Sequence, residues 1–154
     1  MKRCLIAIWV ILLAGTVFAC STDGLFPDPQ CTPGEVFEEV GIQHICVKGY
    51  SATVRNVPKA LKNKVYEAYS IPKSERKNFV IDHLISLQIG GTNGILNLFP
   101  QRTTGVINSR TKDKIENFLK REVCKGNMTL KEAQRLIVTD WLEIWEDFSE
   151  RGDR

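Results

Sequence analysis

The residues able to do chemistry crowd into one stretch, Phe79 to Pro100, which reads FVIDHLISLQIGGTNGILNLFP. An apolar run with strand character ends in the adjacent pair Asp82-His83. A Gly90-Gly91 turn follows, and a second short apolar segment returns the chain to Asn97. The sequence holds two histidines in all, and one of them stands against an acid at the mouth of a turn. A metal-dependent hydrolase needs that pairing. The carboxylate ligates a cation, and the imidazole, whose proton affinity lies near neutral pH, takes a proton from water. The other histidine, His44, lies on a β-type segment with no second ligand pattern near it and reads as structural or exposed. No Ser/His/Asp order, P-loop or zinc-ligand spacing accompanies the stretch.

The elements that must position these residues follow from periodicity and punctuation. Val36 to Val47 carries short β-type runs broken at Gly41, Gly49-Tyr50-Ser51 reads as a turn, and a hairpin-like region is expected here. Val57-Pro58 starts a helix, with Leu61, Val65, Ala68 and Tyr69 at helical spacing, and it should stop before Pro72. A strand over 79–82 leads to the Asp-His pair, and the return strand ends at Asn97. Gln101 to Gly105 reads as a polar loop. A helix then starts near Ile107, carries Ile115, Phe118 and Leu119 on one face, and stops at Gly126-Asn127. Thr129-Leu130-Lys131-Glu132 makes a capping box. It opens one last helix whose stripe runs through Leu130, Ala133, Leu136, Ile137, Trp141, Ile144, Trp145 and Phe148, a pattern for a core or an interface.

The order Asp-His-Leu-Ile-x-Leu-x-x-Gly-Gly-x-Asn, then Asn-Leu-x-Pro, resembles the HNH (ββα-metal) endonucleases. It is most similar to small exported bacterial HNH-like proteins, in which the first His of the name is an Asp. The resemblance extends through Cys31-Thr32-Pro33-Gly34, Ile45 to Tyr50 and Val54 to Pro58, and on to Ala133-Gln134 and Thr139-Asp140-Trp141. Ser86 stands where that family often has proline. The resemblance implies an α+β fold: a small ββα-metal core, a two-stranded ribbon plus a helix, with additional helices and disulfides. It implies His83 as the general base and Asp82 as a metal ligand. Asn97 would be the middle polar residue of the motif, fixing the ribbon and orienting the His83 ring. Asn108 would be the second ligand, with a plain helix N-cap as its structural alternative and Asn117 as a weaker rival. Arg110 and Lys112 would contact substrate phosphate. Two oxygen ligands suit one divalent Mg²⁺ or Mn²⁺.

Bulk properties bound the partners. Lys2 and Arg3, the apolar run Cys4 to Phe18 and the small-residue pattern at Ala19 read as an export signal over residues 1–20. Residues 21–35 read as an irregular tether, 36–150 as one HNH-like domain and 151–154 as a tail. Val17 to Ser21 also resembles a lipobox, which would anchor the chain to a membrane through Cys20 and leave a periplasmic or secreted domain with no membrane span. Export favours disulfides among Cys20, Cys31, Cys46 and Cys124. Three pairings exist; the expectation is Cys46–Cys124, with Cys31 joined to Cys20 or free. The formal charge of +3 falls to about +1 once Lys2 and Arg3 leave. No global basic field marks a nucleic-acid binder. Basic residues from Arg102 to Lys125 nevertheless crowd the region after the Asp-His pair, and no module able to read bases is evident. The expected function is an exported, metal-dependent endonuclease acting on DNA, and on RNA as a further candidate, with little sequence preference. The alternatives are a non-catalytic envelope or binding protein on the same scaffold and a hydrolase of another phosphodiester. Oligomeric state is not legible.

Overall fold

The computed structural model describes residues 19–139 and 141–150. The expected export signal up to residue 18, the tail 151–154 and Asp140 of the quoted motif lie outside them. Among the described residues the fold is α+β: a two-stranded antiparallel ribbon, six helices and two disulfides. The ribbon pairs β1 (Phe79–His83) with β2 (Leu98–Arg102), Ile81 opposite Pro100 and Asp82 opposite Phe99. The return strand therefore begins one residue after Asn97, not before it. Ile95–Asn97 is a single 3-10 turn, and Gln101 and Arg102 belong to the strand rather than to a loop. Pro100 is tolerated because each strand of a two-stranded ribbon is an edge.

Residues 36–54 form no hairpin. Val36 makes one isolated bridge to Gly91, and two short helices follow, α1 (Ile42–Ile45) and α2 (Tyr50–Val54). Ile45 is fully buried and Cys46 is bonded to Cys124, so packing on the later helix decides this segment over its β-type composition. The helix α3 (Lys59–Ala68) is capped by Pro58 and buries Val65. The long helix α4 (Ser109–Lys125) ends at Gly126, whose positive φ suits a left-handed C-cap. The last apolar stripe is carried by two helices rather than one, α5 (Leu130–Thr139) and α6 (Trp141–Glu150).

Two apolar clusters flank the ribbon loop. Ile85 and Ile89 pack with Ile115, Leu119 and Val123 of α4, Ile137 of α5 and the fully buried Trp141. Leu84 packs with Ile81, Leu98, Phe99, Val65 and Tyr69. The loop between the strands is thus held from both sides. The expected tether is irregular but docked: Thr32 is buried, bonds the Tyr69 hydroxyl at 2.7 Å and donates to the Leu98 carbonyl at 3.1 Å. The second disulfide joins Cys20 to Cys31. This is the arrangement expected for a Cys20 that carries no lipid thioether, since the disulfide uses the same sulfur. Two disulfides point to an oxidising environment. Among the described residues, no helix is long and apolar enough to cross a membrane.

Candidate active site

Strand alternation carries Asp82 and His83 to the end of β1, the first partly open with 20% of its side chain exposed, the second buried. The Gly-Gly turn beyond them is dictated by close approach. A Cβ on Gly91 would collide with the Ile85 carbonyl oxygen, and Gly90 has φ +85. Asn97 fills the space inside. Its Nδ2 donates to the carbonyls of Ile85 (2.9 Å) and Thr92 (2.8 Å), and its Oδ1 accepts from Ile85 N–H at 2.9 Å. Fully buried, it braces the loop. It does not orient the imidazole, because its polar atoms are spent on backbone.

The residue that holds the His83 ring is Asn93, which closes the Gly-Gly-x-Asn motif but was given no role from the sequence. Asn93 Nδ2 donates to Val54 O at 2.8 Å, and its Oδ1 accepts from Asn56 N–H at 3.0 Å. These backbone partners fix which end of the amide is oxygen. His83 Nε2 lies 3.2 Å from that oxygen. Since Oδ1 only accepts, Nε2 carries the proton and Nδ1 is the basic nitrogen. Burial lowers the His83 pKa to about 4, opposed by the Asp82 charge and the Asn93 hydrogen bond and reinforced by the charges of Arg55 and Lys112. The ring is neutral at neutral pH.

Lys112 is fully buried and so cannot be the surface phosphate contact that its position suggested. Its ammonium donates to the His83 carbonyl at 2.7 Å, to Glu116 one helical turn on, and to Asp82 Oδ2 at 3.4 Å. Burial opposes its charge, but Asp82 and Glu116 outweigh that and raise its pKa. Glu116 is buried too. Its carboxylate also accepts from Ser86 Oγ at 2.7 Å, and burial raises its pKa first, with Lys112 pulling it down. Ser86, Glu116 and Lys112 therefore bolt α4 to the end of β1, and Ser86 takes part through a hydroxyl that proline lacks.

Asn108 is the N-cap of α4. Its Oδ1 accepts from Arg110 N–H at 2.9 Å, and its Nδ2 donates to Gly105 O at 2.7 Å. Both ends of its amide serve the cap, the structural alternative to a ligand role. Arg110 is exposed in the first turn of α4. The carboxylate that α4 does bring to the site is Asp113. Its side chain reaches solvent, yet its pKa is raised, first by desolvation and then by the Asp82 charge, with Lys112 and Arg55 opposing. A carboxylate next to a lysine reads in sequence as a solvated helix face, so nothing singled it out. His44 accepts from Gly41 N–H on the exposed end of α1.

Set against known proteins, the chain matches no family model, no curated protein and no solved structure. Among the described residues, no three His, Cys, Asp or Glu side chains gather as a ready metal cage. The donors present are two oxygen side chains, Asp82 and Asp113, the first near enough for its charge to raise the pKa of the second. That set fits a hard divalent cation that retains most of its water.

Proposed function

We propose that this chain is an exported, metal-dependent phosphodiester hydrolase of the HNH-like kind, acting on nucleic acid with little sequence preference. The observation that carries the reading is the tautomer of His83. An amide fixed by two backbone hydrogen bonds keeps the proton on Nε2 and leaves Nδ1 as the basic nitrogen. The ribbon β1–β2 and α4 supply the ββα-metal core. Asp82 and Asp113 would hold one Mg²⁺ or Mn²⁺, which supplies charge stabilisation at the phosphate when bound. His83 Nδ1 takes a proton from water as its oxygen bonds to phosphorus. The phosphorus–oxygen bond to the leaving alkoxide breaks, and the alkoxide takes a proton from solvent. Asn93 holds the ring through this, and Lys112 pairs with Asp82 and keeps the end of β1 in place. An exported setting agrees with the two disulfides.

One observation favours the second reading, a non-catalytic binding protein on this scaffold. The Lys112 ammonium already neutralises Asp82. Calorimetry with Mn²⁺, alone and with dimethyl phosphate, separates the two. The hydrolase reading expects metal binding that strengthens when the phosphodiester is present and disappears in Asp113→Asn. No binding under either condition would leave the scaffold reading.

A further inference from the structure

One cation near the site makes no direct ion pair among the described residues. Arg55 directly follows α2, is exposed, and has no carboxylate within ion-pair distance among the described residues. The backbone on either side of it is nonetheless fixed. The Asn93 amide bonds the Val54 carbonyl on one side of it and the Asn56 N–H on the other, and the same Oδ1 meets His83 Nε2 at 3.2 Å. One side chain thus sets the Arg55 backbone and the imidazole in a common frame. The guanidinium charge is felt at both chemical groups, since it opposes protonation of His83 and works against the rise in the Asp113 pKa. The other cations expected to meet phosphate are differently placed: Lys112 is sealed inside, and Arg110 stands in the first turn of α4 beside its cap.

We propose that Arg55 is the phosphate-binding residue of the His83 site, its guanidinium gripping the non-bridging oxygens of a phosphodiester. The inference rests on the hydrolase reading and adds where the phosphate sits. A guanidinium suits the task because its planar fork matches two phosphate oxygens and its charge does not titrate. With Asp82 and Asp113 nearby, an anionic substrate needs such a cation to approach at all.

The test is the NMR spectrum of the imidazoles, of which the chain has two. The oxidised protein, with both disulfides formed, is titrated with dimethyl phosphate, with and without Mg²⁺. The His83 signals should shift saturably while those of His44 stay still. Arg55→Gln should weaken the response about 10- to 100-fold, the range for a hydrogen-bonded charge. Arg55→Lys should fall between, and Arg110→Gln should match wild type. An unmoved His83 signal at any dimethyl phosphate concentration, or equal affinity in Arg55→Gln, overturns the proposal. Exposure of Arg55 predicts that its variants keep the wild-type Tm, and a response lost together with the fold would instead make Arg55 structural. Plasmid cleavage measured alongside separates the two ideas. An Arg55-dependent response without cleavage retains the phosphate site and removes the hydrolase. Cleavage unaffected by Arg55→Gln retains the hydrolase and removes this site.

Discussion

Replacing Lys112 by methionine probes the joint between β1 and α4. The substitution keeps most of the side-chain volume and deletes an ammonium that serves Glu116, Asp82 and the His83 carbonyl, all against a fully buried stem. Removing one partner of a buried ion pair costs about 3–5 kcal/mol, because the other charge stays behind unpaired. For a domain of this size that lowers Tm by roughly 10–20 °C. The loss should depend on pH. Without Lys112, the already raised pKa of Glu116 rises further above its unfolded value. A carboxyl shifted in that direction destabilises the fold progressively as pH climbs above the unfolded pKa, so the variant should be closer to wild type at pH 5 than at pH 7. Pairing the change with Glu116→Leu should restore part of the stability at pH 7, since no buried charge is then left over. Urea denaturation at the two pH values reads all of this. A loss below about 1 kcal/mol at pH 7, or the same loss at both pH values, would refute the internal network.

Wild-type stability should fall by about 3 kcal/mol as pH drops from 6.5 to 4, because His83 is held neutral in the fold and must charge in acid; His83→Gln should flatten that slope in thermal melts. Cys46→Ser with Cys124→Ser should cost about 4.5 kcal/mol by chain entropy over a separation of 78 residues, and the Cys20–Cys31 pair about 3 kcal/mol over 11, measured by denaturant unfolding. Asn97→Asp should destabilise as Asn97→Ala does, by a few kcal/mol, because two carbonyls need the amide N–H groups and a carboxylate would repel them. Asn108→Ala should cost about 1 kcal/mol as a lost cap without weakening Mn²⁺ binding, whereas Asp113→Asn should abolish binding at little cost in stability; calorimetry and melts tell these apart.

The parts of this fold written in local pattern were legible. Phe79 to Ile81 is an apolar run with strand character that delivers Asp82-His83, so β1 was visible, and Pro58 and Pro72 bracket α3. The boundary of β2 was not, because Ile95 to Phe99 is an apolar run whose only interruption, Asn97, is a buried brace and not a turn. The helices at 42–54 are set by burial of Ile45 and the bond to Cys124, a tertiary effect that leaves no period in the sequence. The stripe from Leu130 to Phe148 is continuous, which hid its division into two helices. At the site, Asp82 and His83 stood out by type and adjacency. Asn93 did not, since an asparagine after Gly-Gly-Thr reads as turn chemistry, and its significance lies in contacts 37 and 39 residues away. Lys112 misled for the opposite reason. A lysine on a charged helix reads as solvated, and only the carboxylates around it reveal an internal ion.

The central claim is that His83 is a base activating water for phosphodiester cleavage, and plasmid nicking tests it most directly. Oxidised wild type and His83→Ala are compared at low salt in Mg²⁺, Mn²⁺ and EDTA, with the fold of each checked by its melt. The account predicts nicking by wild type in metal, none in EDTA, and a loss of at least about 100-fold in His83→Ala, the scale of general-base catalysis. Equal nicking by both proteins, or none by a folded wild type in either metal, would contradict it.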